Sequence, residues 1–309
     1  MSQNLAADDR TDEATGVFVA HRELLFGLVY NMLGSVADTE DVLQETWLSW
    51  TSRGGGDPLD GIAHPRAYLV RIAVNHAVQR RAAISRRRET YVGPWLPEPL
   101  VDRAATDSED PALRRESVSL AMLVVLESLT PLERAVFVLH EVFGYAHTEI
   151  AEIIDRTPAA VRQLAHRARA HVHARRPLYE AHPRVRREAT ERFVKAALGG
   201  DIGALMEILA PDVTVWTDGG GNRSRAGLRP VHGRDKAVRL ITSHAARQGQ
   251  HNLDLRHRRV NGDDAVVLFA GDEPYAVMVM DLTPEGDRVS GVYIVTNPEK
   301  LTHVRKEEG

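Results

Sequence analysis

Hydrophobic and polar residues follow two different periods along this chain. Up to about residue 176, apolar residues recur every three or four positions, which is the spacing of one face of an α-helix. From about residue 184, one or two helices precede short alternating runs, such as YAVMVMDL, that are typical of β-strands. We therefore predict two all-α modules followed by an α+β domain, in which antiparallel strands form a strongly curved, cone-shaped sheet around an internal cavity.

The first helical module is predicted at residues 13–88. An apolar stripe indicates one helix that ends at Gly34. A second helix, DTEDVLQETWLSW, is predicted to begin at Asp38 or Thr39, and no lysine or arginine stands beside its carboxylates in the sequence. Pro65 is expected to begin a third long helix, because proline is favoured in the first turn.

The third helix carries a basic polar side that suits nucleic acid. Seven arginines and no acidic residue lie between residues 66 and 88. Arg71, Asn75 and Gln79 share one face because they are spaced four residues apart, and Arg80 lies next to them. Arginine contacts phosphates, whereas asparagine and glutamine can read base edges. The alternative is an ordinary solvated face on a helical bundle.

Residues 89–115 are predicted to be a linker, since their prolines obstruct regular structure. Trp95, Leu96 and Pro97 nevertheless form an apolar string within it, in the sequence GPWLPEPL. A tryptophan left exposed in a flexible tether is unfavourable, so we expect this string to dock on another part of the protein. A local hydrophobic contact without function is the alternative.

The second helical module, at residues 116–176, ends in a pattern typical of a helix-turn-helix. Two short helices are predicted around a turn at Asp155, with Thr157 as the N-cap of the second. Six arginines and no carboxylate lie between residues 156 and 176, as in a helix that enters the DNA major groove. A basic αα-hairpin that binds RNA or a protein is the alternative. The residues expected on the DNA-facing side are Arg162, Gln163, His166 and Arg167.

Composition narrows the class of protein. The chain has 309 residues, of which 43% are hydrophobic, so it can form two or three folded domains. Its net charge of −4 does not indicate nucleic acid, but the basic residues are concentrated in two helices. The absence of cysteine excludes disulfides and thiolate sites. The start is unlike a signal peptide and no apolar run reaches membrane-spanning length, so we expect a cytoplasmic protein without a membrane partner.

Ordered motifs make the chain similar to the bacterial extracytoplasmic-function (ECF) sigma factors. The helix at 38–50 resembles the segment with which these proteins bind the RNA polymerase clamp. Residues 64–81 resemble region 2, which opens and reads the −10 element, and residues 129–169 resemble region 4, which reads the −35 element. The resemblance implies that core RNA polymerase and promoter DNA are the partners, and that Asn75 contacts an unstacked −10 base. It also implies a set of polymerase-binding residues: Asp38, Asp41, Glu45, Trp47 and Leu48.

The melting region departs from that of the primary sigma factors. Only Tyr68 stands where they carry an aromatic cluster, which implies weaker and more promoter-restricted melting.

The C-terminal part, at about 184–301, resembles the SnoaL/NTF2-like cone. Three strings, WLPEPL, DGGG and NPEKL, resemble the ECF41 group, whose fused domain is taken to regulate the sigma core in place of a separate anti-sigma factor. Three consecutive glycines are also unfavourable to order, so we expect the linker to dock on this domain and act as a two-state switch. The sign of its effect on transcription stays open. The predicted interdomain residues are Trp95, Leu96, Pro97, Asp218, Gly219, Gly220, Gly221, Asn297 and Pro298.

The resemblance also raises an alternative function, because SnoaL-type domains include enzymes that use a carboxylate or histidine as a general acid or base. The spacing of the candidates forms no diagnostic constellation, and the histidines, His251 and His257 among them, show no metal-ligand pattern. We therefore expect no catalytic residue, metal or cofactor, and we leave open a small-molecule ligand in the cavity. The candidates considered are Asp218, His232, His244, Asp254 and Asp281.

Overall fold

The computed structural model describes residues 2–52, 62–88, 90–102, 118–175, 182–221, 227–248 and 253–306. These residues form two compact units. The first unit contains the described residues up to 87 and those at 126–174, and the second contains those at 88–102, 118–125 and from 175 onward. The Gly-rich stretch at 53–60 and the linker residues 103–115 lie outside the described residues. Among the described helices, none is both long and apolar enough to cross a membrane.

The first unit begins with three helices: α1 at Ser2–Leu33, α2 at Val36–Thr51 and α3 at Pro65–Arg88. Trp50 of α2 is fully buried, and its indole N–H donates to the carbonyl of Ala14 in α1 at 2.8 Å. Pro65 opens α3, as predicted. The buried tryptophan fixes α2 against α1, because a buried indole needs both apolar contacts and an acceptor for its N–H.

Helix α2 begins earlier than predicted, and its cap is Ser35 rather than Asp38 or Thr39. The Ser35 hydroxyl accepts from the Asp38 backbone N–H at 3.2 Å, and the Thr39 hydroxyl donates to the Ser35 carbonyl at 2.6 Å. Serine, aspartate and threonine are all good N-caps, so residue preference alone does not choose among them. Gly34, in a left-handed conformation, ends α1 one residue before this cap.

The second helical module follows its predicted signals closely. It comprises α4 at Leu120–Leu126, α5 at Pro131–Phe137, a π-helical turn at Val138–Val142, α6 at His147–Ile153 and α7 at Pro158–Arg175. The spacing of Thr130 and Glu133 predicts a capping box, and the two residues form one at the start of α5. The turn between α6 and α7 passes through Asp155 with φ of 52°, a conformation that aspartate tolerates better than most residues. The Thr157 hydroxyl accepts from the backbone N–H of Ala160, which confirms the predicted cap.

A buried charged cluster ties α3 to the second helical module within the first unit. Arg81 of α3 and Arg134 of α5 both bind the Glu127 carboxylate, at 2.7 and 2.5 Å. Arg134 also donates to the carbonyl of Asn31 in α1 at 2.9 Å. Burial lowers the pKa of Arg81 to about 10. Two buried arginines therefore share one carboxylate, which links α3 to α5.

The second unit contains three more helices: α8 at Pro183–Gly199, α9 at Ile202–Ile208 and α10 at Arg234–Gln248. Its strands are β1 at Leu209–Asp218, β2 at Val231–His232, β3 at Leu253–Val260, β4 at Asp263–Ala270, β5 at Glu273–Leu282 and β6 at Val289–Val295. They form one sheet in the order β2-β1-β6-β5-β4-β3. The α+β class is confirmed.

The prediction of an antiparallel sheet is wrong at one pairing, because β1 runs parallel to β6. The run LRPVHG, whose alternation also predicts a strand, contributes only the two-residue strand β2. Strands β3 to β6 form an antiparallel meander, and its last strand, β6, also pairs with β1. Alternating hydrophobicity marks a strand but does not carry the direction of its neighbour.

Both faces of the sheet are buried, each against different elements. In β4, Val266 and Leu268 pack with α8 and α10, whereas Val267 and Phe269 pack on the opposite face. That opposite face is covered by Leu96 of the linker, together with Leu120 and Ala121 at the start of α4. The linker and the first turn of α4 therefore complete the core of the second unit.

Candidate functional site

The predicted DNA-facing side of α7 is exposed. The opposite side, with Val161, Ala168 and Val172, is buried. The Arg167 Nε atom lies 3.3 Å from a carboxylate oxygen of the buried Glu133, although the arginine side chain is 60% exposed. Because the guanidinium itself is mostly exposed, solvent screens its attraction to Glu133, and it can exchange this carboxylate for a phosphate or a base. All four residues predicted to face DNA are exposed: Arg162, Gln163, His166 and Arg167.

The polar side of α3 is partly occupied by the protein itself. Arg71 and Gln79 are exposed, but Asn75 is half-buried. The Asn75 side-chain amide donates to the carbonyl of Arg71 at 2.8 Å and to that of Ile153, at the end of α6, at 3.1 Å. A base that binds Asn75 through this amide has to replace one of these two carbonyls.

The acidic helix α2 is paired with Arg80 of α3. The Arg80 guanidinium lies 2.9 Å from Asp41, 3.3 Å from Glu45 and 4.0 Å from Asp38. Folding thus supplies a cation from α3 that α2 lacks in its own sequence. Asp41 and Glu45 are about half exposed, so these pairs contribute little to stability and can be replaced. The predicted polymerase-binding carboxylates and the predicted DNA-binding Arg80 bind each other in this state.

An exposed apolar residue accompanies these carboxylates. Leu48 is 50% exposed, and Trp47, next to it in α2, is half-buried. The exposure of Leu48 is compatible with the prediction that both residues pack against a partner. Exposure alone does not test that prediction.

A second cluster lies where the linker meets the cone. Asp218, the last residue of β1, is fully buried. Its carboxylate accepts from the Tyr91 hydroxyl at 2.5 Å and from the Leu96 backbone N–H at 2.8 Å. Burial, followed by the neighbouring Asp218 carboxylate, raises the pKa of Tyr91, so the phenol stays a proton donor. The single carboxylate of Asp218 therefore holds the linker through two hydrogen bonds.

Lys300 completes this cluster from the C-terminal side. Its ammonium lies 2.6 Å from Asp218 and donates to the Leu96 carbonyl at 2.5 Å. It also lies 4.0 Å from the centre of the Trp95 ring, within range of a cation–π interaction. We call Asp218, Lys300 and Asn297, with Tyr91 and Leu96 of the linker, the linker clasp.

The glycines of DGGG leave room for the clasp. Gly220 has φ of 63°, and a Cβ there would lie 2.7 Å from the Asn297 side chain. That asparagine donates to the Tyr91 hydroxyl at 3.1 Å and caps the 3₁₀ turn Pro298–Lys300. Gly219 is buried, and a Cβ on Gly221 would contact Val92 of the linker. Both the left-handed backbone and the close approach require glycine at position 220.

An ion pair holds the next part of the linker. Leu96, Pro97 and Glu98 are buried. The His303 Nδ1 atom lies 3.2 Å from the Glu98 carboxylate, and Nε2 lies 2.6 Å from the Pro99 carbonyl. Burial alone would lower the pKa of His303, but the Glu98 carboxylate and the Pro99 carbonyl outweigh it and raise the pKa. Both ring nitrogens face acceptors, so the imidazolium form fits this position.

The candidate catalytic residues do not converge. The described residues around the cone cavity include none of Asp218, His232, Asp254 and Asp281. His232 contacts the Thr214 hydroxyl at 3.1 Å. Hydrogen bonds from Lys306 and then Arg256 lower the pKa of Asp254. The side chain of His244 and all of His251 lie outside the described residues.

Sequence reasoning identified the strings that meet at the linker, but not every residue of the linker clasp and of the ion pair beside it. Trp95, Leu96, Asp218, Gly220 and Asn297 were singled out. Four others were not identified as site residues, although Lys300 stands inside the string NPEKL. The residues missed are Tyr91, Glu98, Lys300 and His303.

Comparison with family models matches three parts of the chain in sequence order. Sigma-70 region 2 matches residues 17–88, Sigma-70 region 4 matches residues 119–172, and the SnoaL-like domain matches residues 190–296.

Relatives of known sequence and structure extend over nearly the whole chain. The ECF RNA polymerase sigma factor SigJ of Mycobacterium tuberculosis is 36% identical over 293 residues, which cover 92% of each chain. The probable ECF RNA polymerase sigma factor SigI of the same species is 30% identical over 96% of this chain and 98% of the relative. The crystal structure of SigJ matches with a TM-score of 0.71 at 32% identity and covers 93% of this chain and 98% of that one.

Proposed function

The chain belongs to the extracytoplasmic-function sigma factor family and carries a fused SnoaL-like domain, and on this premise we propose how its surfaces direct RNA polymerase to promoters. The observation that carries the proposal is the ordered match of regions 2 and 4, joined to an exposed basic face on α7. Binding to core polymerase and promoter DNA follows from these regions, and it implies action in the cytoplasm.

We assign core binding to α2. Asp38, Asp41 and Glu45 form an acidic surface, with Trp47 and the exposed Leu48 beside it. Basic residues of the polymerase would compete with Arg80 for these carboxylates. Core binding would then free Arg80 for a phosphate of the promoter, which couples assembly of the holoenzyme to DNA contact.

We assign promoter reading to two helices. Asn75 and its neighbours Arg71 and Gln79 would contact the −10 strand, once Asn75 releases the Ile153 carbonyl. Gln163 and the residues around it on α7 would enter the −35 major groove. The contacts with phosphates set affinity, and those with base edges set sequence preference.

We propose that the linker clasp sets the resting state. Leu96 lies in the same apolar cluster as Leu120 and Ala121, so the linker is held on the sheet near both of its ends. A linker held in this way cannot extend by the roughly 3.3–3.6 Å per residue that a free chain allows. Separation of regions 2 and 4 on a promoter therefore requires release of the clasp, and the fused domain acts in the role of a separate anti-sigma factor.

Transcription in vitro with core polymerase and a library of promoters tests the proposal. We expect initiation at a shared −10 and −35 pair, and its loss when Arg162 and Gln163 are both replaced by alanine. The absence of promoter-specific initiation by the wild-type protein would overturn the assignment.

A further inference from the structure

We propose that the cone cavity binds a small, uncharged, mainly apolar molecule with one hydroxyl or carbonyl group, and that its binding tightens the linker clasp. The inference deepens the proposed regulation and rests on it for its role in transcription. Its physical basis is the lining of the cavity and the position of two threonines.

The cavity has a volume of about 70 Å³ and lies between the sheet and the helices α8 and α10. On this scale one water needs about 10–15 Å³, so the cavity has room for the equivalent of about five to seven waters, or about 150–210 Å³ at about 30 Å³ per water, the size of a single substituted ring. Leu198, at its edge, is 54% exposed and marks the side that meets solvent. The other lining residues include Phe193, Leu268 and Ile294.

The lining selects against charge. None of the described lining residues is ionisable, and only Thr217 and Thr296 carry a polar side chain. A charged ligand would lose its hydration without a counter-ion, whereas an apolar ring would gain contacts and one polar group could meet a threonine hydroxyl. The same lining lacks an acid or a base for catalysis, which favours a sensor over an enzyme.

The two threonines lie on the face of the sheet opposite to the linker clasp. Successive residues of a strand point to opposite faces, so Thr217 faces the cavity while Asp218 faces the linker. Thr296 and Asn297 repeat this arrangement beyond β6.

Hydrogen bonds join the two faces at this point. The backbone N–H and the hydroxyl of Thr296 donate to the Asp218 carbonyl, at 2.7 and 3.2 Å, and the Asn297 N–H donates to it at 3.0 Å. A ligand hydroxyl that donates to Thr296 strengthens the bond that this threonine donates onward, because hydrogen bonds in a chain polarise one another. Filling the cavity also fixes the end of β1 that carries the clasp.

Methyl NMR of the full-length protein, without polymerase or DNA, tests binding. The probe is benzyl alcohol, with benzylamine as a charged control of the same shape and toluene as a control without the hydroxyl. We expect saturable shifts of the Leu268 and Ile294 methyls with benzyl alcohol, none with benzylamine at pH 7, and about 2- to 10-fold weaker binding of toluene. A folded protein that shows no saturable shift with benzyl alcohol or toluene would overturn the site.

Variants that fill the cavity show where the probe binds. Ala276→Leu from the sheet, or Ala197→Leu from α8 should the first not fold, would abolish the shifts. Ala170→Leu adds the same atoms on the exposed face of α7 and should leave them unchanged. Shifts that persist in a folded cavity-filled variant would place the probe elsewhere and refute the assignment.

Amide exchange at Leu96 tests the coupling. Saturating benzyl alcohol should slow exchange of this N–H, which donates to Asp218, by about fivefold or more, the lower end of typical couplings. Because linkage is reciprocal, Tyr91→Phe, which loosens the clasp, should weaken probe binding. Binding with unchanged Leu96 exchange would refute the coupling. Either result stands apart from the transcription assay, since no polymerase takes part.

Discussion

Replacing Asp218 with asparagine should release the linker from the cone. The carboxylate is fully buried, pairs with Lys300 at 2.6 Å and accepts from Tyr91 and Leu96. Removing one partner of a buried pair costs about 3–5 kcal/mol, because the other charge stays buried and uncompensated. Asparagine keeps one acceptor oxygen, so we expect about 3 kcal/mol. At 1.4 kcal/mol per tenfold, the released fraction rises roughly 100-fold.

Hydrogen exchange of the linker peptide at 90–102, measured on the full-length protein by mass spectrometry, reports this release. Asp218→Asn should speed exchange at Leu96 and raise transcription from a cognate promoter. Asp212→Asn, an exposed position in the same strand, is the matched control and should change neither. If the folded Asp218→Asn protein exchanges its linker at the wild-type rate, the clasp does not hold the linker and the reasoning fails.

Four further predictions concern polymerase, promoter and pH. Reversing the charges of Asp41 and Glu45 together should weaken core binding by more than about 1 kcal/mol in a titration at low salt. A variant that binds core as tightly as the wild type at both low and high salt would contradict this. Arg167→Ala should cost about 1–3 kcal/mol in −35 binding and relax preference at one base, whereas a uniform loss over all sequences would assign it to phosphate. Asn75→Ala should impair open-complex formation more than duplex binding, and normal permanganate footprints would refute this. Protonated His303 stabilises the docked linker, and its pKa is raised when the linker is docked. This stabilisation is complete below the ordinary histidine pKa of about 6.5 and is lost as the pH rises through the raised pKa, so amide protection of the linker should fall over that window.

Two of these experiments have matched controls in the chain. Glu40, on the same helix as the acidic surface, pairs with Arg22 and not with Arg80, so its reversal separates general charge from the proposed contact. His303→Gln keeps a polar side chain without the titration, and a pH dependence that survives this change would assign the effect to another group.

Most of the secondary structure could be predicted from patterns among residues close in sequence. The capping box of Thr130 and Glu133 and the Thr157 cap depend on residues three or four positions apart, and both are confirmed. Most of the strand runs also appear as predicted, because alternation is a local property, although LRPVHG gives only the two residues of β2. The cap at Ser35 shows the limit of such reasoning, since three neighbouring residues satisfy the same rule.

Contacts between distant residues were not predictable in this way. Tyr91 and Asp218 are 127 positions apart, and Arg80 lies 39 positions from Asp41. No periodicity in the sequence indicates either contact, because the tertiary fold brings these side chains together. The parallel pairing of β1 with β6 has the same origin. An apolar string in a linker did indicate that something must cover Trp95, but not that Lys300 would do so.

The sheet with two buried faces bears on how this protein can be divided. A fragment that starts near residue 184 would lack Leu96, Leu120 and Ala121, and would expose Val267, Phe269 and their neighbours to water. Such a fragment is expected to aggregate or to associate through that face. Conversely, a sigma core truncated before residue 184 would keep Leu96, Leu120 and Ala121 but lose the sheet that covers them. In deletion studies that cut the chain between the two parts, poor solubility of a fragment could therefore be mistaken for a loss of regulation. The linker and the start of α4 belong to the core of the second unit, so the fused domain cannot be cut away near residue 184 without exposing apolar surface.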